Sequence, residues 1–183
     1  QQPLWRALGN SFFYAILTTV ICLLICSIAG YGFEVYHDKG KDRLFSILLL
    51  AMMVPQVATM VPLFKMFSKA GLLNTAVGFI LPIISTPFMI MMFRQNARSF
   101  PVDIIEAARI DGLNEVSIFF RMFIPTMKST YAAAAVITFM NAWNAYLWPK
   151  VIMTTNDAMT MPMLIANLIT GYVTDYGMLM CGV

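Results

Sequence analysis

Charge is what this chain has least of. Asp, Glu, Lys and Arg make up 11% of its 183 residues, hydrophobic residues make up 60%, and the mean hydropathy is +0.75. Soluble globular domains carry about 25% charged and about 45–50% apolar residues, so water is not the main solvent of this fold. There is one histidine, His37, placed in a charged turn and read as solvated, which leaves a membrane-embedded hydrolase without a base. The three cysteines, Cys22, Cys26 and Cys181, supply no disulfide framework. No phosphate-binding loop is present: Gly40-Lys41 runs into Asp42 without an upstream glycine, and Gly30-Tyr31-Gly32 lies inside an apolar run. This chain is therefore not expected to hydrolyse a nucleotide itself. The start lacks the basic-then-apolar layout of a signal peptide. The net charge of +3 belongs to residues flanking apolar runs and gives no argument for nucleic acid.

What the chain does have is long apolar runs. Ser11–Phe33, Leu44–Phe64 and Leu72–Phe93 carry no charge, and each has the roughly 20 residues that cross about 30 Å of hydrocarbon as a helix. Tyr131–Pro149 is a shorter fourth. The expectation is an all-α, polytopic transmembrane helix bundle with at least four full spans, a single transmembrane domain over residues 1–183. Lys39, Lys41, Arg43, Arg94, Arg98, Arg109, Arg121 and Lys128 fall on one side of that topology, and Arg6, Lys65, Lys69 and Lys150 on the other. The positive-inside rule makes the first set cytoplasmic and puts the first residues outside. Both ends read as cut: residue 1 is Gln, and the apolar run Tyr176–Val183 is too short to span.

Within the first run, Thr18, Cys22, Cys26 and Gly30 recur every four residues, a face of small side chains suited to close helix packing. A metal or redox pair at Cys22 and Cys26 lacks nearby His, Asp or Glu. Pro55 and Pro62 in the second run, and Pro82 and Pro87 in the third, each remove a backbone donor and bend a helix, which suits either a moving passage or ordinary membrane-helix composition.

Between Arg94 and Lys128 the chain changes character. Ser99 and Pro101 start a helix over Val102–Ile110, Gly112 supplies the positive-φ residue that ends it, and Asn114 caps a second helix with Glu115 in its first turn. Val116, Phe119, Phe120, Phe123 and Ile124 form one apolar stripe on that second helix, and Pro125 closes it. The result is an elbow with Glu106, Arg109 and Asp111 held out at its bend. An amphipathic surface helix of any membrane protein would share these properties.

The order of residues is more specific than that. Glu106-Ala107-Ala108, three residues, Gly112, nine residues, Met122, one residue and Ile124-Pro125 resembles the coupling-loop signature of ABC importer permease subunits, E-A-A, three residues, G, nine residues, I, one residue, L-P. Met122 and Ile124 are the two departures, both apolar. Asn10-Ser11, VPLFKMFSKAGLLNT at Val61–Thr75, Ile110-Asp111-Gly112 and FMNAWNAYLWP at Phe139–Pro149 are similar to the carbohydrate branch of that family, the maltose, lactose and multiple-sugar permeases.

The resemblance implies a type I ABC importer permease fold in a bacterial or archaeal cytoplasmic membrane, with residues 94–128 as the cytoplasmic coupling loop. Glu106, Ala107, Ala108, Asp111, Gly112 and Pro125 would engage the ATPase. It also implies a second homologous permease subunit, a dimer of ATP-binding subunits that holds ATP and Mg, and an extracytoplasmic solute-binding protein. The substrate would be a carbohydrate, and this chain itself would bind no cofactor.

Asn141, Trp143, Asn144 and Tyr146 combine amides and aromatic faces, the groups that hold sugars, and are candidates for the substrate pathway. Trp148, beside Pro149 and Lys150, reads as part of an interfacial aromatic belt. Met159-Thr160-Met161-Pro162-Met163 resembles a thioether copper site, but methionines are equally crowded at Met52-Met53 and Met89–Met92, where they fill apolar space. A copper transporter and a secondary transporter are the alternatives. The latter normally places ionisable residues inside the membrane, and the first three apolar runs have none.

Overall fold

The computed structural model describes residues 2–36 and 38–170, with side chains from Leu4 to Leu168. His37, Cys181 and the run Tyr176–Val183 lie outside the described residues. Described residues form helices and no strands: α1 Gln2–Val35, α2 Lys39–Ala51, α3 Gln56–Lys69, α4 Ala76–Ile80, α5 Pro87–Ala97, α6 Val102–Ile110 and α7 Glu115–Ile118. A π turn Phe119–Phe123, α8 Ile124–Thr126, α9 Lys128–Trp143, α10 Leu147–Ile152, a 3-10 turn Asn156–Ala158 and α11 Met161–Thr170 complete them.

Prolines decide where these helices stop. Among the described residues, Leu4–Val35 is the one helix long and apolar enough to cross a membrane unbroken, and α2 with α3 reaches that length only as a pair. The bends expected at the prolines of the second and third runs are full interruptions, and the fourth run is interrupted as well. Pro55, extended at φ −61° and ψ 130°, cannot donate to Ala51, and α2 ends there. The third run breaks between α4 and α5, where residues 81–86 carry Pro82 and Pro87 opens the next helix. In the fourth, the Asn144 amide donates to the Met140 carbonyl at 2.9 Å and α9 ends at Trp143.

The chain divides into two compact units. One comprises residues 1–19, 55–83 and 138–183. It is organised around Trp148, which is buried, donates from Nε1 to the Gly78 carbonyl at 3.1 Å and meets the Phe67 ring edge-on at 5.3 Å. This corrects the belt reading of Trp148, whose polar edge is satisfied inside the protein. Gly78 is required there, because a Cβ would stand 2.1 Å from the Leu72 carbonyl oxygen. Asn74, at φ 59°, accepts through Oδ1 from the backbone N–H groups of Thr154 at 2.7 Å and Thr155 at 3.1 Å. Arg6 pairs with Asp157 at 2.7 Å, and Ser11 Oγ accepts from Met161 N at 2.8 Å.

The other unit comprises residues 20–54 and 84–137. The small face of α1 is buried as expected, and Gly30 packs so closely on α5 that a Cβ would lie 2.6 Å from Phe93 Cβ. The thiols of Cys22 and Cys26 are 3.7 Å apart, and Cys26 also donates toward the Ile84 carbonyl. Arg94, 5% exposed, donates to Glu34 Oε2 at 3.1 Å and Asp42 Oδ1 at 2.7 Å, with its guanidinium 4.2 Å from the Phe45 ring centroid. One arginine so fastens α1, α2 and α5. All eight basic residues assigned to the cytoplasmic side fall in this unit, and the other four fall in the first.

Candidate functional site

The elbow is built within the second unit from two capped helices and the bend between them. α6 runs over Val102–Ile110 as the start and stop signals imply. Its end is a Schellman turn: Gly112 sits at φ 79°, its N–H reaches the Arg109 carbonyl at 3.1 Å, and the Leu113 N–H reaches the Ala108 carbonyl at 3.0 Å. No atom lies within 4 Å of a Cβ built on Gly112, so the demand for glycine is conformational rather than steric. Asn114 then accepts from Ser117 N at 2.8 Å and caps α7.

The charges at the bend divide into two kinds. Arg109 Nε donates to Glu115 Oε1 at 2.7 Å, closing the elbow across Gly112. That hydrogen bond, with a further one from Tyr36, holds the Glu115 carboxyl below its ordinary range. Glu106 and Asp111 are exposed and form no ion pair among the described residues. Ala107 is exposed as well, whereas Ala108 is buried against the core of this unit, where Ile105, Ile118, Phe119 and Phe123 gather. The Glu-Ala-Ala run therefore presents two residues outward and spends the third on packing.

The second arm departs from the regular helix that its stripe implied. Residues 119–123 form a π turn, and the extra residue per turn rotates the face. Ile118, Phe119 and Phe123 are buried, while Val116 at 64% and Phe120 at 49% are exposed. Pro125 does not close the arm; it opens the short α8, which runs to Thr126, and is itself exposed. Sequence reasoning missed Ile110. It is 86% exposed between Arg109 and Asp111, an aliphatic side chain left in the open beside two uncompensated carboxylates. Its place two residues before the turn glycine was the available signal.

The pathway candidates lie in the first unit. Trp143 stacks on Phe139 at 5.9 Å and meets Phe12 of α1 edge-on at 4.8 Å. Asn141 is exposed, and Asn144 is exposed but commits its amide to ending α9. Tyr146 is exposed at the start of α10. The structure thus joins Trp143 to an aromatic group that includes Phe12, which the sequence had not connected with it. Met161 and Met163 are buried and the Met159 sulfur accepts from Asn167, so this run is used as packing.

Residues 23–183 match the family described as binding-protein-dependent transport system inner membrane component. The chain is 44% identical over 173 residues to the lactose transport system permease protein LacG of Rhizobium radiobacter, covering 94% of this chain and 63% of that relative. It is 39% identical over 178 residues to the arabinooligosaccharides transport system permease protein AraQ of Halalkalibacterium halodurans, covering 97% and 64%. Its fold matches that of a bacterial ABC transporter involved in the import of the acidic polysaccharide alginate, with a TM-score of 0.88 at 22% identity over 99% of this chain and 64% of that one. The chain spans a little under two thirds of the length of each of these proteins.

Proposed function

We propose that this chain, which belongs to the binding-protein-dependent transport system inner membrane component family, forms with a second, homologous permease the membrane pathway of an ATP-driven sugar importer. The family is one of transport components rather than enzymes. ATP and Mg would be held by a separate ATPase dimer, and a solute-binding protein would deliver a di- or oligosaccharide from outside. The names of the lactose and arabinooligosaccharide relatives support a carbohydrate substrate. They displace the copper and secondary-transporter alternatives.

The observation that carries the coupling role is the elbow tip. Glu106, Ile110 and Asp111 are exposed together on a bend rigidified by the Schellman turn and by the Arg109–Glu115 pair. An exposed aliphatic residue between carboxylates suits an apolar socket with a basic rim. On this reading Glu106 and Asp111 supply charge, Ala107 allows close approach, Ala108 and Gly112 fix the bend, and Pro125 starts the return toward α9. Asn141, Trp143, Asn144 and Tyr146 would line or border the pathway.

In the full-length chain assembled with its partners, a cysteine at Ile110 should cross-link to the ATPase subunit. A cysteine at Asp157 should react instead with reagents confined to the outside. Absence of any ATPase cross-link from positions 106, 110 and 111 in an ATP-hydrolysing complex would refute the docking role. Sugar uptake that needs no ATP would refute the importer.

A further inference from the structure

Residues 84–86, which lead into α5 in the second unit, are non-helical backbone at membrane depth. Pro87 stands seven residues before Arg94, about 10 Å of helix. Cys26, whose thiol donates toward the Ile84 carbonyl at 3.6 Å, stands eight residues before Glu34 on α1, about 12 Å of helix. Both routes place the segment inside a hydrocarbon layer of about 30 Å, away from the charged edge that Arg94, Glu34 and Asp42 mark. Irregular backbone is tolerated at that depth only where protein covers it or water reaches it. Its α1 side is covered, since Cys26 serves the carbonyls of Ile84 and, at 4.0 Å, Thr86. The rest is open. Among the described residues the N–H groups of Ile84, Ser85 and Thr86 donate to no acceptor, Thr86 gives α5 no side-chain cap, and the exposed Ser85 hydroxyl has no partner.

We propose that residues 84–86 line the sugar pathway, with the Ser85 hydroxyl and the unpaired N–H groups of the break as contacts for sugar hydroxyls. The inference rests on the importer reading given above and adds contacts outside the Asn141–Tyr146 run. Hydroxyls on the regular helices of this unit turn back on their own backbone: Ser27 donates to the Leu24 carbonyl at 3.1 Å and Ser46 to the Asp42 carbonyl at 2.9 Å. Ser85 has no helical turn before it and keeps its hydroxyl free for something else. Lipid chains offer these groups no partner, so the open side of the break does not face hydrocarbon. A sugar suits it, because each sugar hydroxyl both accepts and donates, and the break offers N–H donors beside a hydroxyl that does both.

The test is Ser85→Cys in the full-length chain, assembled with its partner permease, ATPase dimer and binding protein in nanodiscs, where a charged methanethiosulfonate reaches both faces. The probe is whichever of lactose, maltose and arabinooligosaccharides the wild type imports fastest. The exchange is nearly isosteric at an exposed position, so the variant should keep ATP-driven uptake. During ATP turnover the thiol at position 85 should be modified, as read by peptide mass, because the reagent needs a thiolate in water. Saturating sugar on the binding protein should slow that reaction about tenfold, the factor for a site filled at about ten times its Kd. A sugar that is not imported should give no protection. No modification in any state, modification that sugar leaves unchanged, or protection by a sugar that is not imported would each overturn the proposal while leaving the importer reading intact. A disulfide from position 85 to the partner permease in place of modification would assign the break to the contact between permeases and also overturn it. Wild-type uptake without ATP would instead remove the importer reading itself.

Discussion

Stripping Arg94 of its two carboxylates should destabilise this chain more than removing all three groups together. The Arg94 side chain is 6% exposed, whereas those of Glu34 and Asp42 are 23% and 42% exposed. Taking away Arg94 alone, as Arg94→Met, leaves carboxylates that water can reach. The expected loss is about 1.5–3 kcal/mol for the charged hydrogen bonds, with about 0.5–1 kcal/mol more for the contact with Phe45. The double variant Glu34→Gln with Asp42→Asn leaves a buried cation without countercharge, a change that costs about 3–5 kcal/mol. Adding Arg94→Met to that double variant removes the stranded charge and supplies an apolar side chain of similar reach. Replacing a complete buried ion cluster in this way is often neutral, so the triple variant should recover at least about 1.4 kcal/mol, a tenfold change in the folding equilibrium. Unfolding of the purified full-length protein in mixed micelles, titrated with SDS and followed by tryptophan fluorescence, reads this ordering directly. If Arg94→Met made the double variant still less stable, the residue would be acting through its packing and not through its charge.

Gly112→Val should abolish coupled sugar uptake and weaken ATPase association while membrane insertion proceeds, because a β-branched residue at φ 79° is strained by about 1–3 kcal/mol; normal uptake by this variant would detach the turn from function. Trp148→Phe should lower the thermal midpoint, since it orphans the buried Gly78 carbonyl at a cost of about 1–3 kcal/mol, and an unchanged midpoint would show that the bond to Gly78 adds nothing.

The parts of this fold that sequence disclosed are those set by local chemistry. Pro101, Gly112 and Asn114 each impose a backbone geometry on their own neighbours, so α6, its turn and the cap of α7 were legible residue by residue. The burial of Thr18, Cys22, Cys26 and Gly30 followed from spacing alone, because a four-residue repeat of small groups has one use in a membrane helix. What remained hidden depends on tertiary packing. Periodicity assumes 3.6 residues per turn, and the π turn at Phe119–Phe123 breaks that assumption without a sequence mark. The prolines signalled bends, yet whether a helix bends or stops depends on which neighbours accept the freed carbonyls. Trp148 looked interfacial because Pro149 and Lys150 follow it at the end of an apolar run; only the approach of Gly78 gave its indole a buried partner.

The π turn also sets a rule for transplanting this elbow. A helix that gains or loses one residue turns everything beyond the change by about 100°. Residues 119–123 act as a phase adjuster between the tip that carries Ile110 and the helix that begins at Lys128. Deleting a single residue there would restore ordinary helical register and swing the tip sideways while leaving its own sequence untouched. A chimaera that borrows residues 102–118 from another permease should therefore carry that donor's next five residues with it, or the graft will be well folded and aimed at the wrong place.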